Sequence, residues 1–115
     1  MAIQLEKYKT EGGRCPWRDW LESLSPVVSV RITKSVLRLE QGNFGNCKAV
    51  KGVAGVFELA MDFGPGYRAY YGRHGQTVVL LLCGGDKSTQ PADMAKAGQY
   101  WLDYQRRRSQ DETEH

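Results

Sequence analysis

The chain has 115 residues, 41% hydrophobic and 25% charged, with a formal net charge of +3; this suits one soluble globular domain and is too short for two. Leaving out the three acids Asp111, Glu112 and Glu114 raises the charge to +6, so an anionic partner is expected, nucleic acid first. No apolar run approaches the roughly 18 residues of a membrane span, and Met1 to Tyr8 lacks the basic-then-apolar order of a secretory signal.

The three cysteines are odd in number and widely spaced, which gives no zinc pattern and fits a reducing cytosol. With two histidines, one of them the last residue, neither a His-based hydrolase nor an imidazole metal site has its material. No cofactor or metal is expected. Any chemistry falls to Lys, Arg, Tyr, Asp or Glu.

In chain order, the alternation from Ile3 to Tyr8 predicts a short first strand, ended by Gly12-Gly13. Pro16 suits the first position of a helix, whose apolar face is Trp17, Trp20, Leu21 and Leu24. Ser25-Pro26 reads as the cap and first residue of a second helix, with Val28, Ile32, Val36 and Leu39 inward. Gly42 stops it, so the two helices form a hairpin. Three strands of an antiparallel meander follow: Val56 to Phe63, Tyr67 to Arg73 and Thr77 to Cys83. Gly64-Pro65-Gly66 and His74-Gly75 are the turns, and Gly84-Gly85 ends the third strand. A last helix runs from Pro91 to about Arg107, with Met94, Ala97, Trp101 and Tyr104 inward. The fold class is α+β, in the order β-α-α-β-β-β-α. Residues 1–108 make one domain, and 109–115 read as a polar, frayed tail.

Three constellations carry possible chemistry. Phe63 to Tyr71 places Arg68 on a strand directly after a rigid turn. A guanidinium held there suits phosphate, because its planar fork donates two parallel hydrogen bonds. The same arginine could instead pair with Glu58 or Asp62 on the neighbouring strand. Gly84 to Gln90 is a polar loop without the spacing of a phosphate-binding Walker loop. It offers Lys87 at the edge of a site, or a capping loop for the last helix with Ser88 or Thr89 as its N-cap. Finally, Arg31, Lys34 and Arg38 recur on the outer face of the second helix, Lys48 and Lys51 precede the meander, and Arg106 to Arg108 close the last helix. Cations interleaved with Tyr67, Tyr70 and Tyr71 suit RNA, whose phosphates and bases they could contact.

Taken together, Arg38-Leu39, Gly42 to Gly45, Lys48, Gly52-Val53, Glu58-Leu59, Phe63 to Arg68, Tyr70-Tyr71, Leu80 to Leu82 and Gly84 to Gln90 resemble the addiction-module killer proteins. These are HigB-like toxins of the RelE/ParE superfamily in bacterial type II toxin–antitoxin systems. The resemblance spans roughly residues 3–105.

It implies a small cytoplasmic toxin that cuts messenger RNA on the ribosome and is silenced by a cognate antitoxin of helix-turn-helix type. Operator DNA would be met only through the antitoxin complex, and no membrane is involved. On the same resemblance Arg68, Lys87 and Tyr70 are the candidate catalytic residues, with Lys48, Lys51 and Tyr67 as RNA contacts. One position departs from the family pattern: Glu58-Leu59-Ala60 has alanine where Glu-Leu-Arg is usual. Two other readings stay open, a ParE-like inhibitor of DNA gyrase and a detoxified member that only binds antitoxin.

Overall fold

A computed structural model describes the backbone of residues 3–114 and the side chains of residues 3–110. Its elements are β1 (Gln4–Lys7), α1 (Pro16–Glu22), α2 (Pro26–Glu40), β2 (Cys47–Ala49), β3 (Val56–Met61), β4 (Tyr67–His74), β5 (Val78–Asp86), one 3-10 turn (Lys87–Thr89) and α3 (Gln90–Glu114). The five strands form one sheet in the order β1-β5-β4-β3-β2. β1 runs parallel to β5, and the remaining neighbours are antiparallel. Among the described residues, no helix is long and apolar enough to cross a membrane.

The helices cover both faces of the sheet, because the strands are apolar on both sides. On one face Trp17 of α1 and Ile32, Val36 and Leu39 of α2 pack against Leu59, Met61, Ala69, Tyr71, Val79 and Leu81. On the other, Ala97 and Trp101 of α3 pack against Val56, Tyr70, Leu80, Leu82 and Cys83. A register shift at Tyr70/Tyr71 bulges the β4–β5 pair and lets Leu82 and Cys83 both join the α3 side. The helical hairpin forms as the sequence predicts. Ser25 Oγ accepts from the Val28 amide at 3.4 Å, Pro26 opens α2, and Gly42 follows its end with φ +81.

Apart from one-residue shifts at other element ends, four differences separate the structure from the sequence reading. β2 went unread because it is three residues long and mostly exposed, without alternation; its pairing with β3 alone defines it. β3 stops at Met61 rather than Phe63, where the hairpin turn begins. β5 does not end at Gly84-Gly85 but continues to Asp86, opposite Tyr67. Those glycines are close-approach sites within a strand: a Cβ on Gly84 would enter the Trp20 ring, and one on Gly85 would enter the Asp93 carboxylate. Lastly, α3 starts at Gln90 and its backbone stays helical to Glu114, into the stretch read as a tail. No Gly or Pro follows Arg108 to stop it. Residues 1–2, assigned to the domain, and His115, the end of that stretch, lie outside the described residues.

Candidate functional site

The β3–β4 hairpin builds the site. Its turn is Gly64-Pro65-Gly66, with φ of +57 at Gly64 and +82 at Gly66; L-residues rarely adopt such values. The turn fixes a register in which Ala60 faces Arg68 and Glu58 faces Tyr70. Lys48 on β2 is the partner of Glu58, and Gly85 on β5 is the partner of Arg68. Directly opposed residues share a face. Lys48, Glu58 and Tyr70 therefore form one row across the sheet, and Ala60, Arg68 and Gly85 form the next, on the side that carries α3. Because Gly85 has no side chain, the first turn of α3 seats against the sheet there.

Two contacts hold Arg68. Its Nε lies 3.2 Å from Glu58 Oε1, with side-chain exposures of 13% and 2%. This is a charge contact in which the Nε–H is not aimed along a hydrogen bond. Its Nη1 donates to the Tyr67 carbonyl at 3.0 Å. Gln90, the first residue of α3, donates from Nε2 to the same Glu58 oxygen at 3.2 Å. Of the two pairings open to Arg68 on the neighbouring strand, the structure forms the one with Glu58. Lys87 is exposed on the 3-10 turn. Arg68 Nη1 and Lys87 Cβ each lie 3.5 Å from where a Cβ on Gly66 would stand, so the Arg68 guanidinium and the stem of Lys87 pass over the same glycine.

The 3-10 turn bearing Lys87 is capped by Asp86, and Thr89 directly precedes α3. Asp86 accepts from the Ser88 amide at 2.8 Å, and the Thr89 hydroxyl accepts from the Asp86 amide at 3.2 Å. The Ser88 hydroxyl donates to the same carboxylate at 2.5 Å, and this bond first, then the amide's, holds the Asp86 carboxyl below the usual range. Thr89 also donates to Asp93 at 2.5 Å, tying the turn to α3.

The other candidates lie elsewhere. Tyr70 has no exposed surface; its hydroxyl lacks a partner in hydrogen-bond geometry among the described residues. Burial pushes it up to about 12, with the Glu58 and Asp93 charges adding and the Gln90 amide opposing. Tyr67 sits on the opposite face, against Trp20 and Phe63 with ring centroids 6.2 and 5.3 Å away. Lys48 is exposed in the row beside Ala60. Lys51 is exposed in the β2–β3 connection, at the far end of β3 from the turn. The structure thus brings Arg68, Lys87 and position 60 together, with Lys48 adjacent, and leaves Tyr70, Tyr67 and Lys51 out.

Beyond the edge of β3 lies a groove of about 410 Å³ walled by α2 and by Ala60. Arg31, Lys34 and Arg38 line it together with Asn43 and Asn46. Gln90, Asn43 and Asn46 were not singled out in the sequence, where single amides in loops carry no spacing signal.

A family model described as phage-derived protein Gp49-like (DUF891) matches residues 19–99, most of the chain, from within α1 through the meander and into α3. The chain belongs to the Gp49-like family. That family is of the RelE/HigB toxin type, so this member is a toxin of the toxin–antitoxin class. An uncharacterised protein of Haemophilus influenzae is 44% identical over 98 residues, covering 84% of this chain and 91% of its own length. Among solved structures, a double arginine-to-alanine mutant of the Escherichia coli toxin RelE in the free state superposes with a TM-score of 0.55. At 17% identity over 93% of this chain and 98% of that one, the likeness concerns the fold. It agrees with the RelE-like α+β architecture expected from the sequence. This Gp49-like chain brings the hairpin turn, the strand arginine and the loop lysine to one place, with alanine opposite the arginine.

Proposed function

We propose that this Gp49-like toxin is a ribosome-dependent messenger-RNA endonuclease working in the cytoplasm. The observation that carries the reading is the convergence of Arg68 and Lys87 over Gly66, beside the position directly opposite Arg68. Two cations from different elements, placed without a histidine, suit a reaction whose main demand is charge stabilisation.

The ribose 2′-hydroxyl attacks the adjacent phosphorus and gives its proton to water, the bond to the 5′-oxygen breaks, that oxygen takes a proton from water, and a 2′,3′-cyclic phosphate remains. Arg68 clamps the phosphate oxygens as negative charge accumulates. Lys87 stands beside the leaving oxygen, and Lys48 holds the neighbouring backbone. Tyr70 takes no direct part, because a fully buried phenol held near 12 neither touches RNA nor exchanges a proton at neutral pH. Silencing falls to a cognate antitoxin of helix-turn-helix type, through which alone operator DNA is met.

Mapping RNA ends after incubation with translating ribosomes tests this. New ends from the chain as it stands, and more from Ala60→Arg, are expected. No ends from either protein, or inhibition of gyrase supercoiling without cleavage, would overturn it. A specific observation favours a second reading: Ala60 supplies no cation and Glu58 neutralises Arg68, as in a member that only binds antitoxin. Tight antitoxin binding with no growth arrest, even after Ala60→Arg, would select that reading.

A further inference from the structure

The cations of α2 take no part in the chemistry above. Arg31, Lys34 and Arg38 are exposed and share one side of the helix at i, i+3 and i+7. Among the described residues, none of them has a carboxylate within ion-pair distance; Arg14, Arg68 and Arg107 do. All three line the groove against the edge of β3, where Asp62 is the acid present. β2 covers β3 only from Phe57 to Leu59, so the strand edge past Ala60 is left for the groove.

We infer that this groove binds the phosphodiester backbone of RNA next to the scissile site, an inference that rests on the endonuclease reading. Four features point to phosphate rather than to an acidic peptide or a base. Arg31 and Arg38 stand about 10 Å apart along the helix axis at ~1.5 Å per residue, room for more than one phosphate. Asn43 and Asn46 add neutral donors of the kind that contact phosphate oxygens. The apolar lining gives no anchor for a peptide: Leu59 and Met61 are buried. The Phe63 ring is covered by the Arg31 guanidinium, 4.1 Å from its centroid, so no stacking platform is free. The groove also reaches the site, since Ala60 forms part of its wall and faces Arg68 across the hairpin. Contacts of this kind hold a strand in place without reading its sequence.

The test is the salt dependence of binding by the full chain. A fluorescein-labelled single-stranded oligouridylate is titrated by anisotropy, and empty ribosomes are titrated by co-sedimentation. These two arms separate messenger from ribosomal RNA as the source of the backbone. The variants are Arg31→Glu/Lys34→Glu/Arg38→Glu and Lys34→Glu/Arg38→Glu. The second keeps the Arg31–Phe63 contact in case the first fails to fold. The triple variant should weaken oligouridylate binding about tenfold or more at low salt and flatten the log–log salt slope by about two. Loss confined to the ribosome arm would assign the groove to ribosomal RNA.

Unchanged affinity and slope in both arms, from folded variants, overturns the inference, as does loss of antitoxin binding alone. If RNA ends never appear yet the variants lose affinity, the endonuclease reading fails and the groove stands. If cleavage persists and binding is unchanged, the groove fails alone.

Discussion

Replacing Arg68 by alanine perturbs stability before it perturbs chemistry. Glu58 is 2% exposed and, among the described residues, its one cationic partner within ion-pair distance is Arg68, itself 13% exposed. Its second oxygen has no partner among the described residues. Removing the guanidinium leaves a buried carboxylate facing the Gln90 amide alone. Breaking one side of such a pair costs about 3–5 kcal/mol. With an unfolding entropy of about 2.1 cal/mol/K per residue, that lowers the melting temperature of a chain this long by about 12–20 °C. Circular-dichroism melts and urea titrations of the wild type, Arg68→Ala, Glu58→Gln and the double variant measure it. The double variant strands no charge, so it should regain at least ~2 kcal/mol relative to additivity. Losses that add to within about 0.5 kcal/mol would refute the reasoning: the carboxylate would then be solvated and Arg68 would have no internal competitor. A loss of toxicity in Arg68→Ala therefore reports on catalysis only where the protein is still folded.

Tyr70→Phe should be neutral or stabilise by up to about 1 kcal/mol in urea, since it removes a buried hydroxyl without a partner, and it should leave RNA cleavage unchanged. Tyr8 and Tyr70 are each held up to about 12, chiefly by burial, against about 10 when unfolded. The folded state keeps protons that the unfolded state releases, so stability is fully present below pH ~10 and falls as pH rises toward ~12. Urea midpoints across that range check the sign, and a rising midpoint would contradict it. Gly72→Ala puts a Cβ into the Trp101 ring, where both residues are buried. A loss of about 1–3 kcal/mol is expected from overpacking, read as a lower melting temperature.

The helices were legible because each carries its signal in adjacent residues. Ser25-Pro26 caps α2 as its letters suggest, and the apolar spacing of Ile32, Val36 and Leu39 marks the buried face. The hairpin was legible from Gly64-Pro65-Gly66, and with it the proximity of positions 60 and 68. What stayed hidden depends on contacts between distant elements. Gly84-Gly85 reads as a strand end because glycine is a breaker, yet here each glycine makes room for a side chain from another helix. β2 is too short and exposed to announce itself. Tyr70 was a candidate through the family resemblance, but only the docking of α3 shows that its ring is sealed. The groove was half legible: the cation stripe of α2 is plain, while the strand edge opposite depends on how far β2 reaches along β3.

Position 60 has a double effect on the charge of the site. An arginine there would share a face with Glu58 and lie opposite Arg68, within reach of the same carboxylate. Glu58 could then divide its attraction between two guanidinium groups, leaving Arg68 freer to grip phosphate. With alanine in place, one cation is missing and the other is committed to Glu58. Ala60→Arg and Glu58→Gln should therefore each strengthen RNA affinity, because both release the same guanidinium. Combined, they should gain less than the sum of their separate effects, a coupling that a double-mutant cycle in the binding assay measures. Fully additive gains would mean that Glu58 does not compete with phosphate for Arg68. The alanine would then cost the site its own missing charge and nothing more.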